Sequence, residues 1–234
     1  MTNPDADTAV RLSKLLAAHL GVGRRQADTL IEQGRVTRNG KIAALGERAE
    51  THDIITVDGK TVSIGEAPAF IYLLFNKPIG YVCSRRQQGD TPTIYSLLPK
   101  KYHHLQPVGR LDKDSSGLLL LTNDGDFALK MTHPRFGKQK QYEVTLDTAL
   151  QPLHRQMISD HGIELPDGNS KLQLERLKEG NDTQWRVLMH EGRNRQIRRT
   201  FAALGCTVVR LHRTHFGIFS LQHLSEGQYQ EVTP

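Results

Sequence analysis

Two amphipathic segments lie near the start of the sequence. In residues 11–20, apolar side chains recur at the three- and four-residue spacing of one helix face, and Gly21 follows as a typical helix stop. Residues 24–33 show the same spacing and are followed by Gly34. These patterns predict two short helices, each ended by a glycine.

Short runs rich in β-branched residues follow the two helices. Residues 35–38, 53–57 and 60–62 predict strands, and the dipeptides Asn39-Gly40 and Asp58-Gly59 are typical of tight hairpin turns. Residues 63–69 show no period and include glycine and proline, so they are interpreted as a linker. We therefore expect a disordered leader at residues 1–9 and a compact αα-β unit at residues 10–62.

The pattern changes in residues 70–234, where apolar and β-branched runs become frequent. Strands are predicted at 70–76, 118–122, 141–146, 171–177, 184–189 and 207–211, and helices at 126–132, 150–160 and 193–204. Strands outnumber helices and long connections separate them. The fold class that this predicts is α+β, with a larger domain built on a mixed, mainly antiparallel sheet flanked by helices.

Composition excludes several classes of protein. No apolar run approaches the roughly 18–20 residues that span a bilayer, and the polar first residues do not resemble a signal peptide. We therefore expect no membrane association and a cytoplasmic location. The two cysteines form no CxxC pair and the histidines show no metal-ligand spacing, so we expect no metal and no cofactor.

The charge favours a polyanionic partner, since the net charge is +6 and the estimated isoelectric point is about 9.4. Helix N-termini and arginines both bind phosphates, and the basic residues of the N-terminal unit cluster at the second helix and around the first hairpin. These residues are Arg24, Arg25, Arg35, Arg38 and Lys41. By itself, this cluster is equally compatible with a nucleic-acid docking surface and with a solvated basic face.

A polar loop in the larger domain holds the most unusual sequence. Gly109-Arg110-Leu111-Asp112 leads through a second acid, Asp114, into the apolar run that begins at Leu118. Loops held by a rigid strand are favoured places for catalytic groups. Taken alone, however, Asp112 is more readily explained as a turn residue that accepts backbone N–H bonds.

Four motifs in a fixed order carry a resemblance to a known family. Three of them are the Asp112 loop and residues 76–84 and 140–144, and the fourth is the basic segment 191–199. Together they resemble the RsuA-type pseudouridine synthases, the branch that acts on ribosomal RNA. Residues 11–62 resemble the alpha-L RNA-binding module, although Gly23 stands where that family usually has a side-chain helix cap.

The resemblance implies roles for particular residues. Asp112 is expected to be the catalytic carboxylate, Tyr142 to stack on or act on the target uracil, and Arg198 to pair with Asp112 and keep it ionised. Arg110 is expected to help displace the base, and Asp114 to be a loop-stabilising or exposed acid. The other arginines of the late basic motif are expected to contact the RNA backbone: Arg193, Arg195 and Arg199.

The implied activity is isomerisation of a flipped-out uridine to pseudouridine. One carboxylate can suffice, because the leaving base is also the incoming group. Whether Asp112 attacks the sugar carbon or removes a neighbouring proton to give a glycal is left open. The expected partner is ribosomal RNA or a ribosome-assembly intermediate, and the expected state is a monomer. The alternatives are a transfer-RNA target, a non-catalytic RNA-binding protein, and a glycosidase, which would need a second, water-activating acid.

Overall fold

The structure is a computed structural model, and it describes residues 9–50, 52–63, 69–86 and 89–234. The expected leader (residues 1–9) and linker (residues 63–69) lie almost entirely outside these ranges. The chain divides into two compact units, Met1–Phe70 and Ile71–Pro234. Each unit is described by itself.

The first unit has two helices followed by short strands. Its elements are β1 (Val10–Arg11), α1 (Leu12–Leu20), α2 (Arg24–Glu32), β2 (Val36–Arg38), β3 (Lys41–Ile42), β4 (Arg48–Ala49), β5 (Ile55–Val57) and β6 (Lys60–Val62). Strands β3, β2, β5 and β6 form an antiparallel sheet in that order, and β1 pairs with β4. Both predicted helices and both predicted hairpins are present.

The apolar faces that predicted these helices form the core of the first unit. Leu12 and Leu16 of α1 are fully buried and pack in one cluster with Ala27 and Ile31 of α2. Gly21 ends α1 in the left-handed conformation, with φ of +65°, which a glycine adopts at little cost. Local periodicity therefore determined this part of the fold.

A buried carboxylate fixes the turn between the two hairpins. Asp53 accepts hydrogen bonds from Arg38 Nε at 2.7 Å, from Asn39 Nδ2 at 2.6 Å and from the Glu50 amide at 2.8 Å. The bond from Arg38, followed by the backbone bond, lowers the pKa of Asp53 to about 2. Arg38 therefore serves the fold of this unit at least in part.

The second unit contains the longer strands. Its elements are β7 (Tyr72–Lys77), β8 (Gln106–Val108), β9 (Ser116–Thr122), α3 (Gly125–Thr132), β10 (Lys140–Leu146), α4 (Pro152–Gln156), β11 (Ile163–Leu165), β12 (Gly168–Ser170), β13 (Gln173–Arg176), β14 (Gln184–Met189), α5 (Gln196–Ala202), β15 (Val208–Phe216), β16 (Phe219–Ser220) and β17 (Tyr229–Glu231). Short 3-10 turns cover Ile94–Leu97, Lys100–Tyr102 and Pro134–Phe136, and a π turn, Met157–His161, continues α4.

The central sheet has the order β13-β14-β10-β15-β9-β7-β17, with β8 on β9 and β16 on β15. Its β9–β15 pairing is parallel, and its other named pairings are antiparallel. Strand β9 is buried on both faces, because Leu119 and Leu121 join one core cluster while Leu118 and Leu120 join another. The expected α+β architecture with a mixed, mainly antiparallel sheet is confirmed.

Several predicted boundaries were wrong. Strand β15 continues to Phe216 instead of ending at residue 211, because the structure buries two of its polar residues: His212 Nδ1 lies 2.8 Å from Ser116 Oγ, and Arg213 Nε donates to Leu118 O. The helix predicted at 193–204 begins only at Gln196, after Arg195 with φ of +46°. Strands β8, β11, β12, β16 and β17 were not predicted.

Candidate active site

A cavity of about 570 Å³ opens on the second unit beside the polar loop singled out in the sequence. Asp112 and Arg110 contribute from this loop, Tyr142 from β10, and Arg213 from β15. Arg193 and Arg195 line it from the connection between β14 and α5. Most of the expected site residues of this unit therefore meet at one cavity. Arg198 and Arg199 do not line it.

A buried lysine holds the Asp112 loop against the sheet. Lys77, at the end of β7, is fully buried, and its ammonium donates to Pro78 O at 3.0 Å, Asp112 O at 3.0 Å and Ser115 O at 2.7 Å. Burial lowers the pKa of Lys77. Sequence reasoning did not single out this residue. The available signal was a lysine that ends an apolar strand within the 76–84 motif.

The loop enters β9 through a glycine that no other residue can replace without a shift of the backbone. Gly117 has φ of +107°, and a Cβ atom there would lie 2.2 Å from the backbone oxygen of Arg213 on β15. The close approach lets β9 and β15 pair in parallel at Ser116–His212 and Gly117–Arg213. This pairing brings the loop next to the cavity floor.

The carboxylate of Asp112 is about one-third exposed and has one arginine within ion-pair distance. Arg195 Nη1 lies 3.7 Å from Asp112 Oδ2. The same guanidinium binds Asp114 through both carboxylate oxygens, at 3.1 and 2.9 Å. Arg195 therefore joins the two acids of the loop.

Arg198 pairs with Asp114 in the structure, and not with Asp112 as expected. Arg198 Nε lies 3.3 Å from Asp114 Oδ2, and its Nη atoms donate to Val208 O and Asp114 O. This guanidinium ties α5, β15 and the loop together beneath Asp112. The difference arises because the helix begins later than expected, so that Arg195 occupies a left-handed position at its start.

Two further arginines of the basic motif are bound by an acid from a distant hairpin. Asp167, in the β11–β12 turn, pairs with Arg199 at 2.7 Å and with Arg193 at 3.1 Å. Arg193 also donates to the carbonyls of Gly168 and Asn169. No acid lies between residues 193 and 213 of the sequence, but the contacts with Asp167 neutralise part of the positive charge of this segment.

Tyr142 lies on the inner face of β10 and is buried apart from its contact with the cavity. It is paired across the sheet with Arg213, whose guanidinium carbon is 6.0 Å from the tyrosine ring centroid. The aromatic ring thus forms part of the cavity wall. The cavity is therefore lined by a carboxylate from the loop and an aromatic side chain from β10.

The sequence pattern of a family described as RNA pseudouridylate synthase matches residues 71–203, which include the loop, Tyr142 and the basic motif. The chain belongs to this family. Its members are isomerases, and the resemblance to RsuA-type pseudouridine synthases is thereby confirmed. Residues 10–55 match the S4 domain, which corresponds to the first unit.

Relatives in this synthase family match over nearly the whole chain. The chain is 37% identical to the ribosomal large subunit pseudouridine synthase B of Pseudomonas aeruginosa, over 98% of this chain but 61% of the relative's length. It is 36% identical to the ribosomal small subunit pseudouridine synthase A of Pasteurella multocida, over 96% of both. A crystal structure of a pseudouridylate synthase is 32% identical, with a TM-score of 0.67 and 96% coverage of both chains.

The S4 domain of this synthase carries two kinds of basic residue. Arg35 pairs with Asp58 at 2.5 Å, and Arg38 pairs with Asp53 and Glu47. In contrast, the other three expected RNA contacts are exposed and form no ion pair with any residue that the structure describes: Arg24, Arg25 and Lys41. The side chains of Arg24, Arg25 and Lys41 are therefore available to bind phosphates.

The described residues hold neither a cluster of metal ligands nor a helix that could span a membrane. Within residues 9–50, 52–63, 69–86 and 89–234, no three side chains of histidine, cysteine, aspartate or glutamate are grouped in a way that could hold a metal ion. In the same ranges, every helix is too short or too polar for a membrane crossing.

Proposed function

We propose that this chain isomerises a specific uridine of ribosomal RNA to pseudouridine, with Asp112 as the catalytic carboxylate. The observation that carries the proposal is the position of Asp112 at a cavity that Tyr142 also lines, with Arg195 3.7 Å from the carboxylate. Membership of the synthase family and relatives named for both ribosomal subunits support the substrate class.

The carboxylate of Asp112 starts the reaction in its ionised form. It either attacks the sugar carbon C1′ or removes the proton on the neighbouring sugar carbon, and in both routes the bond from C1′ to uracil N1 breaks. A permanent cation nearby attracts the carboxylate and orients it. Arg195 supplies this cation, while Arg198 acts as a positioning residue through Asp114.

The target uridine reaches the cavity by leaving its helix or loop. A flipped base stacks on aromatic side chains, and Tyr142 lines the same cavity as Asp112. Arg110 is exposed at the rim, where its side chain takes the place of the displaced base. Arg193 and Arg199 keep their pairing with Asp167 and shape the RNA-facing surface beside the cavity.

Mapping pseudouridines in ribosomal RNA tests the proposed function. RNA from both ribosomal subunits and transfer RNA are mapped in cells with and without the protein. We expect one or a few ribosomal uridines to lose the modification without the protein and to regain it when the wild-type chain is restored. If the pseudouridines of ribosomal RNA are unchanged without the protein, ribosomal RNA is not its substrate. If only transfer RNA loses a pseudouridine, transfer RNA is the substrate instead.

Three residues of the S4 domain are proposed to bind RNA phosphates. Replacing Arg24, Arg25 and Lys41 with glutamine removes three exposed, unpaired charges. Because each phosphate contact releases counterions, we expect the slope of log affinity against log salt to flatten by about 0.7–0.9 per lost contact. Filter binding of target RNA at several salt concentrations measures it.

The matched control for this test is Arg35→Gln, since the Arg35 charge is already paired with Asp58. The control is expected to leave the salt slope close to that of the wild-type chain. If the triple variant also keeps the wild-type slope, the S4 domain does not dock RNA through these residues.

A further inference from the structure

Two buried cations lie side by side at the floor of the active-site cavity, and the proposed mechanism does not yet use them. Lys140 is 9% exposed and Arg213 is 2% exposed, and both line the cavity. The Lys140 ammonium lies 5.2 Å from the centroid of the Phe216 ring and the Arg213 guanidinium lies 4.9 Å from it. The two positive groups therefore converge on one aromatic ring.

Neither cation has an acid partner in the part of the chain that the structure describes. Arg213 Nε donates to Leu118 O at 2.7 Å, but its Nη2 is buried without any hydrogen-bond acceptor. Among the described residues, Lys140 Nζ donates only to Lys138 O, at 3.3 Å. A buried donor without an acceptor costs free energy, so an acceptor atom of a ligand bound in the cavity would stabilise Arg213 Nη2.

The electrostatics of the pair favour binding of an electron-rich group. Burial, and then the charge of Arg213, lower the pKa of Lys140 to about 8, and the charge of Glu191 acts in the opposite direction. Glu191 is itself paired with Arg193. An electron-rich group placed between Lys140 and Arg213 would relieve the repulsion between them and supply the acceptor that Arg213 lacks.

Lys140 and Arg213 are neighbours of Tyr142, the residue proposed to stack on the flipped base. Lys140 and Tyr142 are two residues apart on β10 and point to the same face of the sheet, and Tyr142 is paired across the sheet with Arg213. Phosphates stay with the RNA backbone at the rim, whereas a flipped base enters the pocket. The group that reaches Lys140 and Arg213 is therefore the base.

Building on the proposed function, we propose that Lys140 and Arg213 bind the carbonyl oxygens of the target uracil and stabilise the negative charge that the base acquires when it detaches. When the C1′–N1 bond breaks, its electron pair stays on the uracil ring and spreads over N1, O2 and O4. The base then turns and C5 bonds to C1′; on the first route the bond from C1′ to the Asp112 carboxylate breaks at the same time, and on the glycal route Asp112 returns the proton to the neighbouring sugar carbon. A proton then leaves C5 and one is taken up at N1. Donors fixed in a water-excluded site stabilise such developing charge strongly.

Lys140→Met tests the proposal, because methionine keeps an unbranched apolar chain over Phe216 and removes the donor. Full-length wild-type and variant proteins are compared in single-turnover reactions on synthetic target RNA. The target position carries uridine, 2-thiouridine or 4-thiouridine. The matched control is Lys138→Met, which removes the same charge two residues away, outside the cavity lining.

We expect Lys140→Met to slow the reaction of the natural uridine on the order of 10²-fold, the usual effect of losing one such donor, and Lys138→Met to have little effect. Sulfur is a poor acceptor, so wild-type protein should be slower with a thiocarbonyl at the recognised position. In Lys140→Met the loss of rate caused by sulfur should be smaller for at least one of the two thiouridines, because the variant lacks the ammonium that binds the replaced oxygen. Lys140→Arg should recover part of the rate.

Three results would overturn this role. They are a wild-type rate in Lys140→Met, undiminished penalties for both thiouridines, and a weaker salt dependence of RNA binding, which would assign Lys140 to a phosphate. Thermal unfolding of Lys140→Met and Lys140→Arg shows whether each variant is folded, and the arginine variant serves if methionine is not tolerated. Wild-type protein that is inactive on every RNA instead refutes the proposed function itself.

Discussion

Asp112→Asn is expected to abolish pseudouridine formation, with a loss of at least about 10⁴-fold in single-turnover rate, the size of effect seen when a central catalytic group is removed. Asparagine has nearly the shape of aspartate and occupies the same place beside Arg195. It can neither attack C1′ nor remove a sugar proton at a useful rate. RNA affinity should stay close to that of the wild-type chain, because Asp112 contributes no positive charge to binding.

Asp114→Asn is the matched control, since Asp114 lies two residues away in the same loop and shares Arg195. It loses partly exposed ion pairs with Arg195 and Arg198, which are worth about 1 kcal/mol or less each, so we expect a rate within about ten-fold to thirty-fold of wild type. Retained activity in Asp112→Asn, or an equal loss in both variants, would refute Asp112 as the catalytic carboxylate.

Lys77→Met is expected to destabilise the second unit by roughly 3–5 kcal/mol and to impair activity with it. The ammonium serves three backbone carbonyls at the root of the Asp112 loop, and methionine leaves all three without this donor. Chemical denaturation followed by circular dichroism measures the free energy of unfolding. Single-turnover rates at a temperature where the variant is folded report on the loop.

Lys113→Met separates this effect from a simple loss of charge. Lys113 is exposed in the same loop and its ammonium donates to the Thr91 hydroxyl at 3.2 Å. We expect a change of at most about 0.5 kcal/mol, typical of a surface substitution. If Lys77→Met unfolds at the same denaturant concentration as Lys113→Met, the three hydrogen bonds do not hold the loop.

Where local pattern and burial agreed, the fold could be predicted from the sequence. Helices α1 and α2 and the hairpin turns of the first unit follow from apolar spacing and from turn dipeptides, which act over a few residues. Strand β14 was predicted with its observed bounds, Gln184–Met189, because its residues alternate between buried and half-buried positions. Short strands such as β8 and β17 were missed because three residues carry too little periodic signal.

The hydropathy pattern did not predict the second half of strand β15. Its second half contains His212 and Arg213, which read as solvent-exposed, yet both are buried because Ser116 and Leu118 of the parallel neighbour supply hydrogen-bond partners. These partners lie nearly a hundred residues away in the chain. No local window of sequence contains them.

Residue order alone was enough to identify the family, the α+β class and the motifs that meet at the cavity, because family motifs and short-range periodicity both lie within short segments of the chain. The catalytic role of Asp112 stays a prediction that the experiments above test. Which charges face each other, in contrast, follows from the folded chain: Arg195 lies next to Asp112, Arg198 pairs with Asp114, and Asp167 pairs with two further arginines. Charge pairing depends on distances of a few ångströms between segments far apart in the chain, and folding alone sets those distances.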